Sequence, residues 1–344
     1  MYLRTPPAYQ EAQKSMAIAE AVSPHIYRIV SPLPFPPVTV NLYLLQHRDG
    51  FALVDSGLNS PNAWDVLERG LAELGIAPGD LTHLLLTHVH PDHMGAAGRL
   101  KQESGAPVFV HRLEEPFIAS RYRAVAPLLI EVEQWLRHHG ASAAEAETLS
   151  KVSLQMLNSV QPTEVDVLLE GDETLEIGGI ELRTLWTPGH SPGHLCYYDT
   201  RRRILLAGDH LLPGTTPNIS QHPQSSPSPL DDFYAALHAI DQLEVSLALP
   251  GHGDPMHDHR ARIAETLAHH ERRKNQMMDL LNAGPRSGWE ISATIFARVQ
   301  GQPFQQRLAL METLAHLQAL AHAGRIRKHI ADDGAVLWER RLGD

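Results

Sequence analysis

The chain has one cysteine in 344 residues. Cys196 therefore has no partner for an intrachain disulfide, which fits a reducing compartment. It stands in the apolar run Leu195-Cys-Tyr-Tyr198, the setting of a packed strand residue rather than of a nucleophile or a ligand. Long hydrophobic runs are missing too: no segment reaches the roughly 18 uninterrupted apolar residues of a membrane span. The opening residues, Met1-Tyr-Leu-Arg-Thr-Pro-Pro7, lack the basic-then-apolar pattern of a secretion signal. The sequence reads as cytoplasmic, with no membrane partner. Positive charge is scarce, with 29 Lys and Arg against 40 Asp and Glu and a formal net charge of −11. That balance argues against a surface devoted to nucleic acid or anionic lipid. From Asp258 onward the balance reverses to +3, which leaves −14 for the rest; the tail is compositionally distinct, but +3 is a weak signature of a nucleic-acid surface.

What is present is an ordinary globular composition, 43% hydrophobic and 20% charged, on a chain long enough for a main domain and a smaller one. Strand-like runs at His25–Val30, Val38–Leu45 and Phe51–Asp55, punctuated by Pro and Gly, predict a meander. A helical period over Asn62–Leu74, a strand at Leu81–Leu86, a helix at Ala96–Ser104 and a strand at Val108–His111 then alternate, the pattern of a layered α/β core. The stretch Leu113–Val160 breaks this rhythm with helical composition and predicts an insertion that caps a site, forms an interface or only pads the fold. Its Phe117, Tyr122, Leu128, Leu129 and Trp135 would line an acyl site if the insertion is a lid, or else pack its own helices. Strands resume at Val165–Leu169, Thr174–Ile177, Glu181–Thr187, His194–Tyr198 and Ile204–Ala207. The tail reads as a long helix, Arg260–Asn282, then helices Ser292–Arg298 and Gln305–Ala323, and a hairpin Ile326–Ile330 and Val336–Arg340 turning at Asp332-Asp-Gly334. That order is the order of a winged helix-turn-helix.

The chemistry concentrates in Thr87-His-Val-His-Pro-Asp-His93. Three imidazoles and a carboxylate crowd the turn that leaves an apolar strand, and metal binding is the use that explains so many metal-competent groups there. With 22 His in the chain, a chance His-x-His-x-Asp-His arises about once in 200 such sequences, so a merely polar turn is a poor explanation. Three further segments place a ligand-type residue at a Gly or Pro turn after an apolar strand: Thr187-Pro-Gly-His190, Gly208-Asp209 and Pro250-Gly-His252. Strand ends of a layered fold converge on one edge, so these distant residues can share a site.

Asp55 in Val54-Asp-Ser-Gly57, His88-x-His90-x-Asp92-His93, His190, Asp209 and His252 together resemble the motif series of the metallo-β-lactamase superfamily. The resemblance spans residues 25–257 and implies a four-layer αββα fold with a helical insertion at 113–160 and a small winged-helix-like domain at 258–344, after a catalytic domain at 1–257. It implies one metal on His88, His90 and His190, a second on Asp92, His93 and His252, and Asp209 bridging them; Asp92 and Asp209 are then the candidate catalytic carboxylates. Imidazole and carboxylate ligands suit zinc, and also iron or manganese. Two such ions would hold a shared, acidified water as a bridging hydroxide. Asp55 is expected behind the ligands, orienting imidazole N–H groups. The seven ligands leave His83, His111, His210, His257 and His259 as packing or surface residues, although His210, directly after Asp209, could reach a substrate.

The extended wording Thr187-Pro-Gly-His-Ser-Pro-Gly-His194 is similar to the glyoxalase II-like branch, where thioesters are common substrates, but its glutathione-binding part has no counterpart here. The tail resembles the winged-helix extension of a β-lactamase-like subgroup, some of whose members act on RNA. A metal-dependent hydrolase of an ester or thioester such as an acyl-CoA leads. An endoribonuclease or phosphodiesterase, a lactonase and a non-catalytic metal-binding regulator stand behind it, with a homodimer among the open arrangements. The regulator is disfavoured because a degenerate site would have lost a ligand, and none is missing.

Overall fold

In the computed structural model, which describes residues 18–332 and 334–341, the expected meander is present with one strand more. β1 (Ala19–Ser23), β2 (Ile26–Pro32), β3 (Thr39–His47) and β4 (Gly50–Val54) pair antiparallel in chain order. β5 (Leu81–Leu85), β6 (Val108–His111) and β7 (Val167–Leu169) extend the sheet by parallel pairing. A second sheet runs in the order β12, β11, β10, β9, β8. Its strands are β8 (Thr174–Ile177), β9 (Ile180–Trp186), β10 (Leu195–Asp199), β11 (Ile204–Gly208) and β12 (Leu247–Pro250), antiparallel except for β11 with β12.

The period of two along each strand divides its side chains between two cores. Val40, Leu42 and Leu44 of β3 face the first sheet's outer core, while Tyr43 and Leu45 face the space between the sheets. Leu195, Tyr197, Ile204 and Leu206 meet them there from the second sheet. Cys196, Tyr198, Leu205 and Ala207 point the other way, so Cys196 is a packed strand residue as expected. The central strands of both sheets, such as β3, β10 and β11, are thus buried on both faces, which is why they read as nearly continuous apolar runs.

Helices cover the outer faces. α1 (Pro61–Glu73), α2 (Pro91–Met94) and α3 (Ala97–Ser104) lie among the strands of the first sheet, and Trp64, Leu67, Leu71 and Leu100 seal its outer core. Ser60 caps α1 by accepting the Ala63 N–H, with Pro61 at the first helical position. The insertion folds as α4 (Glu115–Tyr122), α5 (Ala126–His138), α6 (Ala143–Ser150) and a 3₁₀ stretch Lys151–Ser159. On the second sheet, Leu230, Phe233 and Leu237 of α7 (Pro229–Asp241) and Ile263 of α8 (His259–Leu280) form the outer layer.

The tail adds α9 (Gly288–Ile295), α10 (Pro303–His322) and the hairpin β14 (Ile326–Ile330) and β15 (Val336–Arg340), with β13 (Arg286–Ser287) on the other edge of β15. α9 begins four residues before the expected Ser292 because Ser287 and Glu290 form a capping box that fixes its start. The tail is joined to the insertion: Val132, Leu136 and Leu149 share one core with Met277, Leu310, Leu314 and Trp338. Leu128 and Trp135 pack against that core, and Phe117 and Tyr122 against the outer core of the first sheet. For these four, packing accounts for the apolar character of the insertion. No helix among the described residues is long and apolar enough to cross a membrane. The N-terminal segment Met1–Pro7 and Asp333 of the hairpin turn lie outside the described residues.

Candidate metal centre

The expected ligands, and Asp55 behind them, follow the C-terminal ends of strands. Asp55 follows β4, His88 to His93 follow β5, His190 follows β9, Asp209 follows β11 and His252 follows β12. β4 and β5 run parallel, and β9, β11 and β12 share one direction, so these ends meet on one edge of the two-sheet sandwich.

All seven expected ligands come together there. His88, His90 and His190 form one group able to hold a metal ion, Asp92, His93 and His252 a second, and His88, His93 and Asp209 a third. His90 Nδ1 lies 2.9 Å from His88 Nε2 and 3.0 Å from His190 Nε2. Asp209 sits between the sets: its Oδ2 is 3.5 Å from His190 Nε2 and 3.4 Å from His252 Nε2, and its Oδ1 is 3.4 Å from His93 Nε2. Asp92 Oδ2 is 3.5 Å from His252 Nε2 and 3.9 Å from His93 Nε2. Gly251 permits this approach, because a Cβ there would lie 2.5 Å from Asp209 Oδ1.

The opposite edge of each ring shows which nitrogen is free to bind. His252 Nδ1 is 2.6 Å from the Thr39 carbonyl, His190 Nδ1 3.0 Å from the Asn218 carbonyl and His93 Nδ1 2.8 Å from Asp55 Oδ2. Each of these acceptors takes an N–H, which assigns a proton to Nδ1 and makes Nε2 the nitrogen that faces the cluster. Thr87 Oγ1 donates to the Asp55 carboxylate, 2.9 Å to its Oδ2, and accepts from His88 Nδ1 at 3.0 Å. Asp55 thus lies behind two of the expected ligands, facing His93 directly and His88 through Thr87.

Three residues with positioning roles were not expected. The fully buried Glu114 accepts the Val89 N–H at 3.1 Å and the Gly193 N–H at 2.8 Å, clamping the turn between His88 and His90 to the turn after His190. His194 lies 2.8 Å from Thr187 Oγ1 through Nδ1 and accepts the Asp209 N–H at 3.1 Å through Nε2; the repeated Pro-Gly-His in the sequence was its signal. Asn218 ties His190 to the tail, its side-chain amide donating to Glu312 at 3.3 Å and to the Leu308 carbonyl at 3.4 Å, both on α10. Burial raises the Glu312 carboxyl to about 7. His210, which the sequence left free to reach a substrate, is instead fully buried with its ring edge against Phe233. His83 packs near Phe109 and His111 stacks on Trp186, in keeping with structural roles.

Electrostatically the cluster needs positive charge. Burial acts against an ionised Asp209, yet His252 and His93 hold its carboxyl well below the usual range. Burial likewise opposes a charged His93, but Asp209, Asp55 and Asp92 outweigh it and raise the imidazole well above its ordinary value. His88 and His90 are held well below theirs, by burial first and by neighbouring imidazoles. His93 Nε2 and Asp209 Oδ1 are buried with no hydrogen-bond partner among the described residues. Unpaired polar atoms at such depth are costly, and here they lie between the two sets. The donor set fits divalent metal ions.

The fold and the His/Asp cluster define a metallo-hydrolase scaffold. The model of the metallo-β-lactamase superfamily matches residues 35–252, and that of a metallo-β-lactamase-like C-terminal domain matches residues 275–341. The chain belongs to the metallo-β-lactamase superfamily. A solved metallo-β-lactamase family protein from Thermus thermophilus is 34% identical, with a TM-score of 0.82 over 93% of this chain and 100% of that one. A probable metallo-hydrolase of Bacillus subtilis (strain 168), YqjP, is 26% identical over 84% of this chain and 90% of its own. An atrochrysone carboxyl ACP thioesterase of Cryptosporiopsis sp. (strain 8999) is 23% identical over 94% of this chain and 85% of its own.

Proposed function

We propose that this chain is a dinuclear metal-dependent hydrolase of esters or thioesters, with zinc as its resident metal. The observation that carries the reading is the position of Asp209 between two three-residue sets, with His93, His190 and His252 all turning Nε2 toward it. His88, His90 and His190 would hold one ion and Asp92, His93 and His252 the other. Two bound divalent ions supply Lewis acidity that polarises the acyl carbonyl and acidifies the attacking water. The chain's own part is to hold these atoms still: Asp55, Thr39 and Asn218 lock the ring protons on the far nitrogens, and His194 and Gly251 seat Asp209. Asp92, whose side chain is 14% exposed against 9% for Asp209, is the carboxylate placed to pass a proton to solvent.

The thioester preference is supported by the likeness to the ACP thioesterase, which extends through the tail as well as the main domain. Thiol release from acyl thioesters by the metal-loaded protein tests it, beside lactones, phosphodiesters and short RNAs. Two transition-metal ions per chain and thioester turnover that falls to background in His90→Ala and Asp209→Asn are the expected results. RNA cleavage without thioesterase activity would replace this reading with the nuclease one, and full activity in metal-free protein would remove metal from the reaction.

A further inference from the structure

A segment of the loop after β11 runs from one expected ligand to a pair of arginines. It starts at Asn218, whose carbonyl receives the His190 Nδ1–H, is tied to α10 where the Gln221 N–H donates to the Met311 carbonyl at 3.0 Å, and ends at Gln224. The side chain of Gln224 accepts from Arg121 Nε at 2.9 Å and donates to Ser120 Oγ at 2.8 Å. α4, which carries both partners, is pinned beside the ligands by the Tyr122 hydroxyl, 2.7 Å from the carbonyl of Val89 between His88 and His90. Arg307, in the first turns of α10, donates to Ser153 Oγ at 2.7 Å. The loop thus bridges the two arginines: Gln224 holds Arg121, and Gln221 sits against Met311, one helical turn beyond Arg307 on α10, with His222 between them and burial, then the charges of Arg121 and Arg307, pushing its imidazole down.

These two guanidiniums are half-buried, and among the described residues neither has a carboxylate partner. Arg28, Arg99, Arg202, Arg262 and Arg273 are similarly half-buried, and each of them pairs with an Asp or Glu; Arg286, at the start of the tail's small sheet, is the other half-buried arginine without such a partner among the described residues. Two neighbouring, partly desolvated cations without a counter-charge oppose folding; burial first, and Arg121 after it, push Arg307 down to about 10. His222 Nδ1 accepts the Gln224 N–H at 3.1 Å, so its proton is on Nε2, which has no partner among the described residues. Three elements distant in sequence therefore bring two cations and an N–H together beside the turn that carries His90, held only by neutral partners: Gln224 and the Phe117 ring, 4.5 Å away, for Arg121, and Ser153 and the Leu149 carbonyl for Arg307. Charges left without a counter-charge are a local rule broken, and such breaks concentrate at functional sites.

We infer that Arg121, Arg307 and the Nε2–H of His222 form a subsite for an oxyanion, a carboxylate or phosphate carried by the substrate next to its scissile acyl bond. Arginine is suited to both groups through its planar pair of donors. The inference rests on the hydrolase reading and names the substrate class: an anionic ester or thioester, its charge on the thiol arm, as in an acyl phosphopantetheine, or on the acyl arm, as in the half-thioester of a dicarboxylic acid. It also gives the tail a task, since α10 supplies Arg307.

The experiment compares hexanoyl phosphopantetheine, glutaryl N-acetylcysteamine and the neutral hexanoyl N-acetylcysteamine on the metal-loaded full chain, with Arg121→Gln, Arg307→Gln and Arg307→Lys. In each glutamine variant the ratio of kcat/KM for an anionic thioester to that for the neutral one should fall at least about tenfold, the scale of a lost charge-assisted hydrogen bond. Arg307→Lys should restore part of it. Response of the phosphate-bearing or of the carboxylate-bearing ester tells which arm carries the charge. If no thioester is turned over, the reaction assignment fails, and calorimetric binding of S-hexyl phosphopantetheine against neutral S-hexyl N-acetylcysteamine decides the subsite on its own. A selectivity ratio, or a binding preference, that is the same in wild type and both glutamine variants overturns the inference.

Discussion

Replacing Asp55 by Asn tests how the proposed metal centre fixes its ligands. Asp55 is buried and adopts a left-handed backbone with φ 59°, a conformation that Asn tolerates as well as Asp, so the substitution removes charge without adding strain. The carboxylate faces donors on both oxygens: Oδ1 takes the Thr87 N–H at 2.8 Å and Oδ2 the His93 Nδ1–H at 2.8 Å. An amide offers one oxygen and one NH₂, so one donor must meet another. The Thr87 amide cannot give up its proton, whereas His93 can move its own to Nε2. The NH₂ should therefore turn to His93 and place a hydrogen on the nitrogen that would face a metal. The exchange forfeits a charge-assisted hydrogen bond, about 1.5–3 kcal/mol, and losing such a support behind a metal ligand weakens metal affinity by about 10–100-fold. Competition against a chromophoric chelator measures this directly, with a thermal melt to show that the fold persists. Asp55→Asn protein that binds both ions within about twofold of wild type, with unchanged turnover, would refute the tautomer argument.

Two further substitutions probe the scaffold. Glu114→Ala strips the acceptor from two buried amides, Val89 and Gly193, at about 1–3 kcal/mol each; it should lower the melting temperature by several degrees and reduce metal content, and an unchanged melt would refute the clamp. Burial holds the His139 imidazole down at about 3, with His138 and Lys328 adding to the effect. The unfolded chain takes up that proton near its ordinary value and the folded protein does not, so this stabilisation is complete above about pH 6.5 and is lost progressively as pH falls toward 3. His139→Phe, which keeps the apolar contact with Trp135, should flatten the acid side of the stability curve by up to one proton, about 1.4 kcal/mol per pH unit. Denaturant midpoints that fall equally in both proteins between about pH 7 and pH 5 would refute it.

The candidate ligands that the fold brings together were legible because each is a local event, a His or Asp at a Gly- or Pro-marked turn that ends an apolar strand. The expected hairpin of the tail matches β14 and β15 residue for residue, since alternation and a Gly turn are local as well. α7 was not among the expected elements, although Leu230, Phe233, Leu237 and Ile240 have a helical period; the Pro- and Ser-rich approach to it reads as loop. What orients the ligands was illegible for a different reason. The acceptors for His252 and His190 are main-chain carbonyls of Thr39 and Asn218, and a carbonyl has no residue signature. Glu114 looks like any acid near a helix start, and its role exists only because β5 and β9 bring Val89 and Gly193 within reach of one side chain.

The same distinction explains why substrate and catalyst separate in this chain. The candidate metal ligands all come from strand ends of the sandwich, where sheet register sets their spacing. Arg121 and Arg307, without a carboxylate partner among the described residues, come from the insertion and the tail, which share a core of their own. A change in how α5 and α6 pack on α10 would move Arg307 relative to Arg121 while leaving β5, β9, β11 and β12 in place. Specificity could then drift through the packing of Leu136, Leu149 and Leu314 with the metal geometry unaltered, which is the division of labour expected when one catalytic scaffold serves many substrates.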